Sequence, residues 1–285
     1  MASSTRDIKR KIRSVNSTMQ ITKAFELVST AKLKRARDRM DITKPYFDTI
    51  QSAVHDILSA DKSIKSKFVS SGVSHKPLYI VVSSDRGLCG GYNINAIKKS
   101  VENVADKENA KYIAVGKRAN DVLKQNGYNV VDSFLYISEK PEFVHAVQIA
   151  KTATRMLEKG EVDSIHFVYT RFVSSISQVA TDLILLPIER PEVVEGEGPS
   201  EYINYEPSPE DVLHYIIPKY VESTIFGGLI ESSAAEQAAR RIAMENASDN
   251  AEEIIEDLTL SFNQARQAAI TQEISEIVGG AEALK

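Results

Sequence analysis

Apolar or long side chains recur at Ile8, Ile12, Val15, Met19, Thr22, Phe25 and Val28, and again at Ala247, Ala251, Ile254, Leu258, Phe262, Ala265 and Ala269. Steps of four and three residues place them on one narrow stripe of an α-helix. That is the seam of a helix facing one partner helix, not the broad face of a globular core. The first stripe predicts a helix over 4–58, with Ser4 as N-cap and Asp7 three residues on, and with a kink or fresh start at Pro45. The second predicts a helix over 209–280. Ser208 is its N-cap, Pro209 its first helical residue, and Gly279-Gly280 its stop. Pro218 is expected to bend its first turns, and Gly227-Gly228 to weaken it by about 1 kcal/mol per glycine relative to alanine.

Between these helices the period changes. Pro77–Ser83 is a short, largely apolar strand ending in a glycine-rich turn, and 93–106 reads as a helix. A strand at 111–115, a helix at 117–126, a strand at 128–131 and a helix at 142–159 follow, then strands at 164–172 and 178–186. Strands alternating with helices predict a mainly parallel sheet covered by helices on its faces. The chain thus divides into 1–58 (N-terminal helix), 77–187 (α/β domain), 188–208 (linker, rich in proline with Gly196 and Gly198) and 209–285 (C-terminal helix).

Charge supports the pairing of the two ends. Residues 1–44 hold twelve Lys/Arg against four Asp/Glu, and 210–285 hold five against fourteen, so the segments are opposite in sign. The net charge of −4 speaks against a dedicated nucleic-acid binder. One cysteine, Cys89, excludes an internal disulfide and fits a reducing compartment. The basic, Ser-containing start resembles a transit peptide, but the helical pattern already begins near Thr5, so none is expected. No apolar run approaches the length of a membrane span.

Two long helices flanking one compact domain return most simply antiparallel to each other. At 1.5 Å per residue they measure about 80 and 108 Å. If they start level at the domain, the C-terminal helix overhangs by roughly 25 Å. The overhang carries Ile270, Ile274, Ile277 and Val278. Apolar residues with no partner in their own chain mark a protein-interaction surface, so a sleeve is expected around this tip.

Other motifs have plainer readings. Ser84–Gly91 follows a strand and precedes a helix, where a phosphate loop would sit, but it has neither the G-x-G-x-x-G spacing nor a Gly-Lys-Ser/Thr. It reads as a structural or subunit-contact turn built on Asp85, Arg86, Gly87 and Cys89. His55, His75, His145, His166 and His214 have no ligand spacing, so no metal and no cofactor is expected. The helical run Lys32–Arg39 is basic like a leucine-zipper DNA contact, or like a solvated face, or like a surface meeting acidic partners.

Several segments share one resemblance. Ile270–Ala281 (ITQEISEIVGGA), Ile21–Val28 (ITKAFELV), Asp85–Asn93 (DRGLCGGYN), Ser233–Arg240 (SAAEQAAR) and Asn263–Ala268 (NQARQA) closely resemble the gamma subunit of bacterial F1 ATP synthases, in the right order over nearly the whole chain. The resemblance implies a long antiparallel coiled coil of the terminal helices plus a central Rossmann-like α/β domain. It implies a non-catalytic central rotating stalk inside a ring of three alpha and three beta subunits. The α/β domain then meets the epsilon subunit and the membrane c-ring, so the chain is peripheral on the cytoplasmic face of the bacterial membrane. Arg266 and Gln267 would hydrogen-bond a beta loop, and Lys23, Lys32, Lys34 and Arg35 would face acidic beta segments. Ile270, Ile274, Ile277 and Val278 would sit in the sleeve. Phe25 and Leu27 stand where many relatives have Met, and the thiol-regulated insert of chloroplast relatives is absent. An α/β nucleotide-binding enzyme with helical dimerisation arms is the alternative; it predicts nucleotide binding by the isolated chain.

Overall fold

A computed structural model describes residues 5–60, 68–69, 75–102, 104, 108–188, 206 and 208–283. The elements are α1 (Thr5–Ala60), β1 (Pro77–Val82), α2 (Tyr92–Glu102), β2 (Lys111–Val115), α3 (Lys117–Gln125), β3 (Asn129–Phe134), α4 (Phe143–Glu158), β4 (Ser164–Phe172), β5 (Gln178–Leu186) and α5 (Pro209–Ala283). Ser4 and nearly all of the 188–208 linker lie outside the described residues. At the start of α5, Ser208 caps as expected, its Oγ accepting from the Asp211 N–H at 3.1 Å. Pro45 neither breaks nor restarts α1, and α5 also continues through Pro218.

The chain divides into two compact units, 30–240 and 1–29 with 241–285. In the larger unit the sheet order is β3-β2-β1-β4-β5, with every pair parallel except the antiparallel edge pair β4–β5. Alternation along β1 builds two cores. Leu78, Ile80 and Val82 face a layer made by α4 and by parts of α1 and α5 (Val54, Ile57, Ile149, Leu213, Val221). Tyr79 and Val81 face the opposite layer, with Ile97 of α2 and Ala119 and Leu123 of α3. Burial on both faces is why β1 and β2 read as near-continuous apolar runs.

The glycine pair in α5 has a packing reason that composition hides. A Cβ on Gly227 would lie 1.8 Å from the Phe47 ring, and one on Gly228 2.2 Å from the Phe167 ring. Here α5 approaches α1 on one side and the sheet on the other. Leu33 and Ala36 pack with Ala234 and Ala238, so α5 retreats as α1 advances from Leu33 to Phe47. The helices are antiparallel.

In the smaller unit the Thr22 and Ser248 hydroxyls meet at 2.7 Å, both buried. The α1 seam runs through Ile8, Ile12, Val15, Met19, Thr22, Glu26 and Ser29, holding steps of four and three throughout. This corrects the expected stripe at its end, because Phe25 and Val28 are 44% and 49% exposed. The α5 seam uses Met244, Ser248, Ala251, Ile255, Leu258, Phe262 and Ala265, while Ile254 and Ala269 are exposed. Helical phase outweighs hydrophobicity here: buried Ser29 keeps the 3.5-residue repeat where Val28, one position away, does not, and half-buried Glu26 keeps it beside exposed Phe25. Phe25→Ala should therefore change unfolding free energy by less than about 0.5 kcal/mol, and Leu33→Ala should lower it by about 2–5 kcal/mol, measured by chemical denaturation.

Candidate functional site

The turn after β1 sits where strand order reverses, since β2 and β4 flank β1 on opposite sides. Such switch points commonly hold ligands. The start of α3 lies against this turn, and its N–H groups, unpaired within the helix, could also attract an anion. The chain uses them itself. Lys117 N–H donates to Asp85 Oδ1 (2.9 Å), Arg118 N–H to the Ser84 carbonyl (3.1 Å) and Ala119 N–H to Ser83 Oγ (2.8 Å). Gly116, at φ +88°, permits this closure, because a Cβ there would lie 2.2 Å from the Ser83 carbonyl oxygen.

Asp85 goes further, accepting also from the backbone N–H groups of Tyr136 (2.7 Å) and Ser138 (3.1 Å). It ties the β1–α2 turn, the start of α3 and the loop after β3 into one rigid edge. Asp85→Ala strands three backbone donors, and should lower stability by about 2–3 kcal/mol in thermal or chemical unfolding. Asp85 is therefore a structural member of the turn. Cys89 is buried against Tyr92 and Ala235, and burial pushes its thiol pKa up. Arg86 and Leu88 are the turn's exposed side chains, Leu88 at φ 64° and 64% exposed.

Sequence reasoning missed two groups beside this turn. Glu236 and Arg240 of α5 form an ion pair at 2.8 Å with side chains only 4% and 12% exposed, and Arg240 also reaches the Gly87 carbonyl at 3.4 Å. Burial raises the Glu236 pKa, with Arg240 opposing the shift. The second group is the loop after β3. Glu139 pairs with Lys32 and its carbonyl accepts from Ser233 Oγ, while Arg39 donates to the Pro141 carbonyl at 2.5 Å. The loop thereby straps α1 to α5. The strap joins residues about a hundred positions apart and so has no linear signal, while the Glu236–Arg240 spacing is common to any helix and does not show that the pair is buried.

Of the basic α1 residues, Lys34 and Arg35 are exposed, and Lys32 is held by Glu139. In the smaller unit Lys23 is exposed. Counting 17 residues outward from both Thr22 and Ser248 brings Thr5 level with Ala265. Ala265 is also the last half-buried residue of α5; every residue from Arg266 to Ala281 is exposed. The segment 266–283 extends about 27 Å past that level. It carries Arg266 and Gln267 at its root, then Ile270, Ile274, Ile277 and Val278 at 48%, 56%, 72% and 56% exposure. Among the described residues no His/Cys/Asp/Glu group suits a metal ion, and no helix is long and apolar enough to cross a membrane.

Comparison with known proteins gives one answer. The ATP synthase family model "ATP-synt" matches residues 4–284. An ATP synthase gamma chain of Alkaliphilus metalliredigens is 48% identical over 283 residues, covering 98% of both chains. A gamma chain of Acetobacterium woodii, described as sodium ion specific, is 43% identical and covers 100% of both. Among solved structures, a chain of the Euglena gracilis mitochondrial ATP synthase (OSCP/F1/c-ring) superposes with TM-score 0.70 at 19% identity, covering 98% of this chain and 94% of that one. A chain of the Tetrahymena thermophila mitochondrial enzyme's central stalk and c-ring gives 0.62 at 24% identity, covering 80% and 99%. The last two speak for the fold alone, and the first three for descent: this chain belongs to the ATP synthase gamma-chain family.

Proposed function

We propose that this chain is the central rotating stalk of an F1 ATP synthase, a non-catalytic subunit coupling ion movement through a c-ring to ATP synthesis or hydrolysis on beta subunits. The exposed apolar extension 266–283 carries the reading, because it is a helix whose stripe needs a surrounding protein. The physical principle is symmetry. A shaft without three-fold symmetry cannot touch three equivalent beta subunits alike, so it favours a different conformation in each, and turning it exchanges those preferences.

Arg266 and Gln267, free of the seam, hydrogen-bond a loop of one beta subunit. Lys23, Lys34 and Arg35 face acidic beta surfaces; Lys32 contributes charge while paired to Glu139. Ile270, Ile274, Ile277 and Val278 fill the sleeve at the top of the alpha–beta ring. At the β1–α2 turn, Arg86 and Leu88 meet partners, and Asp85, Gly87 and Cys89 shape the turn that presents them. The α/β domain meets epsilon and the c-ring, which places the chain peripherally on the cytoplasmic face of a bacterial membrane.

The test is co-purification with alpha and beta subunits, then ATPase assay of wild type, a 270–285 truncation and Arg266→Ala. A 3:3:1 complex whose activity or assembly is weakened in both variants supports the proposal. Failure to join the ring, or nucleotide turnover by the chain alone, overturns it.

A further inference from the structure

One cleft of the larger unit shares Lys32 and Arg35 with the proposed beta-facing surface, while the rest of its lining has no role there. It lies between α1, α5 and the loop after β3, has a volume of about 520 Å³, and is lined by Lys32, Arg35, Arg39 and Lys140 with Glu139 as its single carboxylate. Its floor is Ala36, Ile230 and Ser233, and Tyr136 stands at its edge, 74% exposed and held at φ 63°.

The charges in it do not balance. Glu139 neutralises Lys32, and the Arg39 guanidinium spends one donor on the Pro141 carbonyl. Arg35, one turn from Arg39 on the same face, has no hydrogen-bond or ion-pair partner among the described residues, and Lys140 is 81% exposed with only a 4.0 Å approach to Glu142. Crowding is felt at Lys32, whose pKa is lowered by burial and then by Arg240, Arg86 and Arg35. Forked guanidinium donors at helical spacing suit the bidentate geometry of phosphate oxygens. The volume falls in the range of small-molecule sites and greatly exceeds one phosphate.

We propose that this cleft binds a linear polyphosphate, free or as the tail of a nucleotide, through Arg35, Arg39 and Lys140. Lys32 remains with Glu139 and closes the inner wall, and Tyr136 is placed to stack on a base if one is attached.

The experiment is calorimetric titration of the full chain with sodium tripolyphosphate and, separately, ATP, at a constant ionic strength of about 0.15 M. The expected result is one saturable tripolyphosphate site, weakened about tenfold by Arg35→Ala and by Lys140→Ala, with circular dichroism unchanged. Equal affinity for ATP identifies the phosphate chain alone as what is read. Tighter ATP binding, with the difference lost in Tyr136→Ala, identifies a nucleotide. Binding that is absent, non-saturable or indifferent to Arg35→Ala and Lys140→Ala overturns the proposal and leaves the cleft to an acidic polypeptide.

Discussion

Arg240→Ala is expected to lower the unfolding free energy by about 3–5 kcal/mol at neutral pH, because it leaves the Glu236 carboxylate buried without its counter-ion. The pH dependence separates this cause from simple loss of packing. In the native chain the Glu236 pKa is already raised by burial, against the pull of Arg240. Native protein thus holds this proton to higher pH than unfolded chain does. The contribution to stability falls as pH rises from the ordinary carboxylate range through the raised value. Without Arg240 the pKa rises further, so the variant's deficit should be large near pH 7 and shrink on acidification toward pH 5, as the buried carboxyl takes up its proton in a growing fraction of both folded proteins. Denaturant midpoints at the two pH values measure it. Glu236→Gln combined with Arg240→Met should recover most of the loss, since the ion pair's own net contribution is small once neither charge is stranded. A deficit independent of pH would mean that the guanidinium acts by filling space and holding the Gly87 carbonyl.

Gly228→Val is expected to be comparably damaging, and Gly228→Ala to destabilise by about 1–3 kcal/mol. The sign is the informative part. In an exposed helix interior, glycine to alanine stabilises by up to about 1 kcal/mol. At Gly228 the added Cβ meets the edge of the Phe167 ring at 2.2 Å, and that ring is fully buried and stacked on Tyr169 at 5.0 Å. Neither ring can withdraw without opening the core beneath β4. Gly227→Ala meets Phe47, which is only partly buried and can swing aside. It should cost less than Gly228→Ala, a ranking that thermal unfolding of the three variants establishes.

Much of this architecture can be read from the linear sequence, because it rests on local periodicity. The strands β1, β2, β4 and β5 lie where apolar runs between turn residues put them, and the helix caps at Ser208 follow short-range chemistry. The exposed tip was also legible, since it needs only a difference in helix length. What escaped was whatever depends on phase or on distant pairs. Phe25 and Ile254 are more apolar than Glu26 and as apolar as Ile255, so hydrophobicity alone assigns the seam one position wrong near both. The structural role of Asp85 within its own chain escaped too, because nothing linear shows that three backbone donors from α3 and the loop after β3 converge on it. The Glu236–Arg240 pair has ordinary helical spacing, and only the burial of that stretch of α5 makes it consequential.

The central claim is that this chain turns as one shaft inside a three-fold ring. Cys89 is the single cysteine and is 2% exposed, so a Lys98→Cys variant on the exposed side of α2 can be labelled selectively with a bead. With the alpha–beta complex fixed to glass by its beta subunits, ATP should drive the bead in one direction, in steps of about 120°, the angle between equivalent sites of a three-fold ring. A bead that stays still while the same complexes hydrolyse ATP would contradict the account.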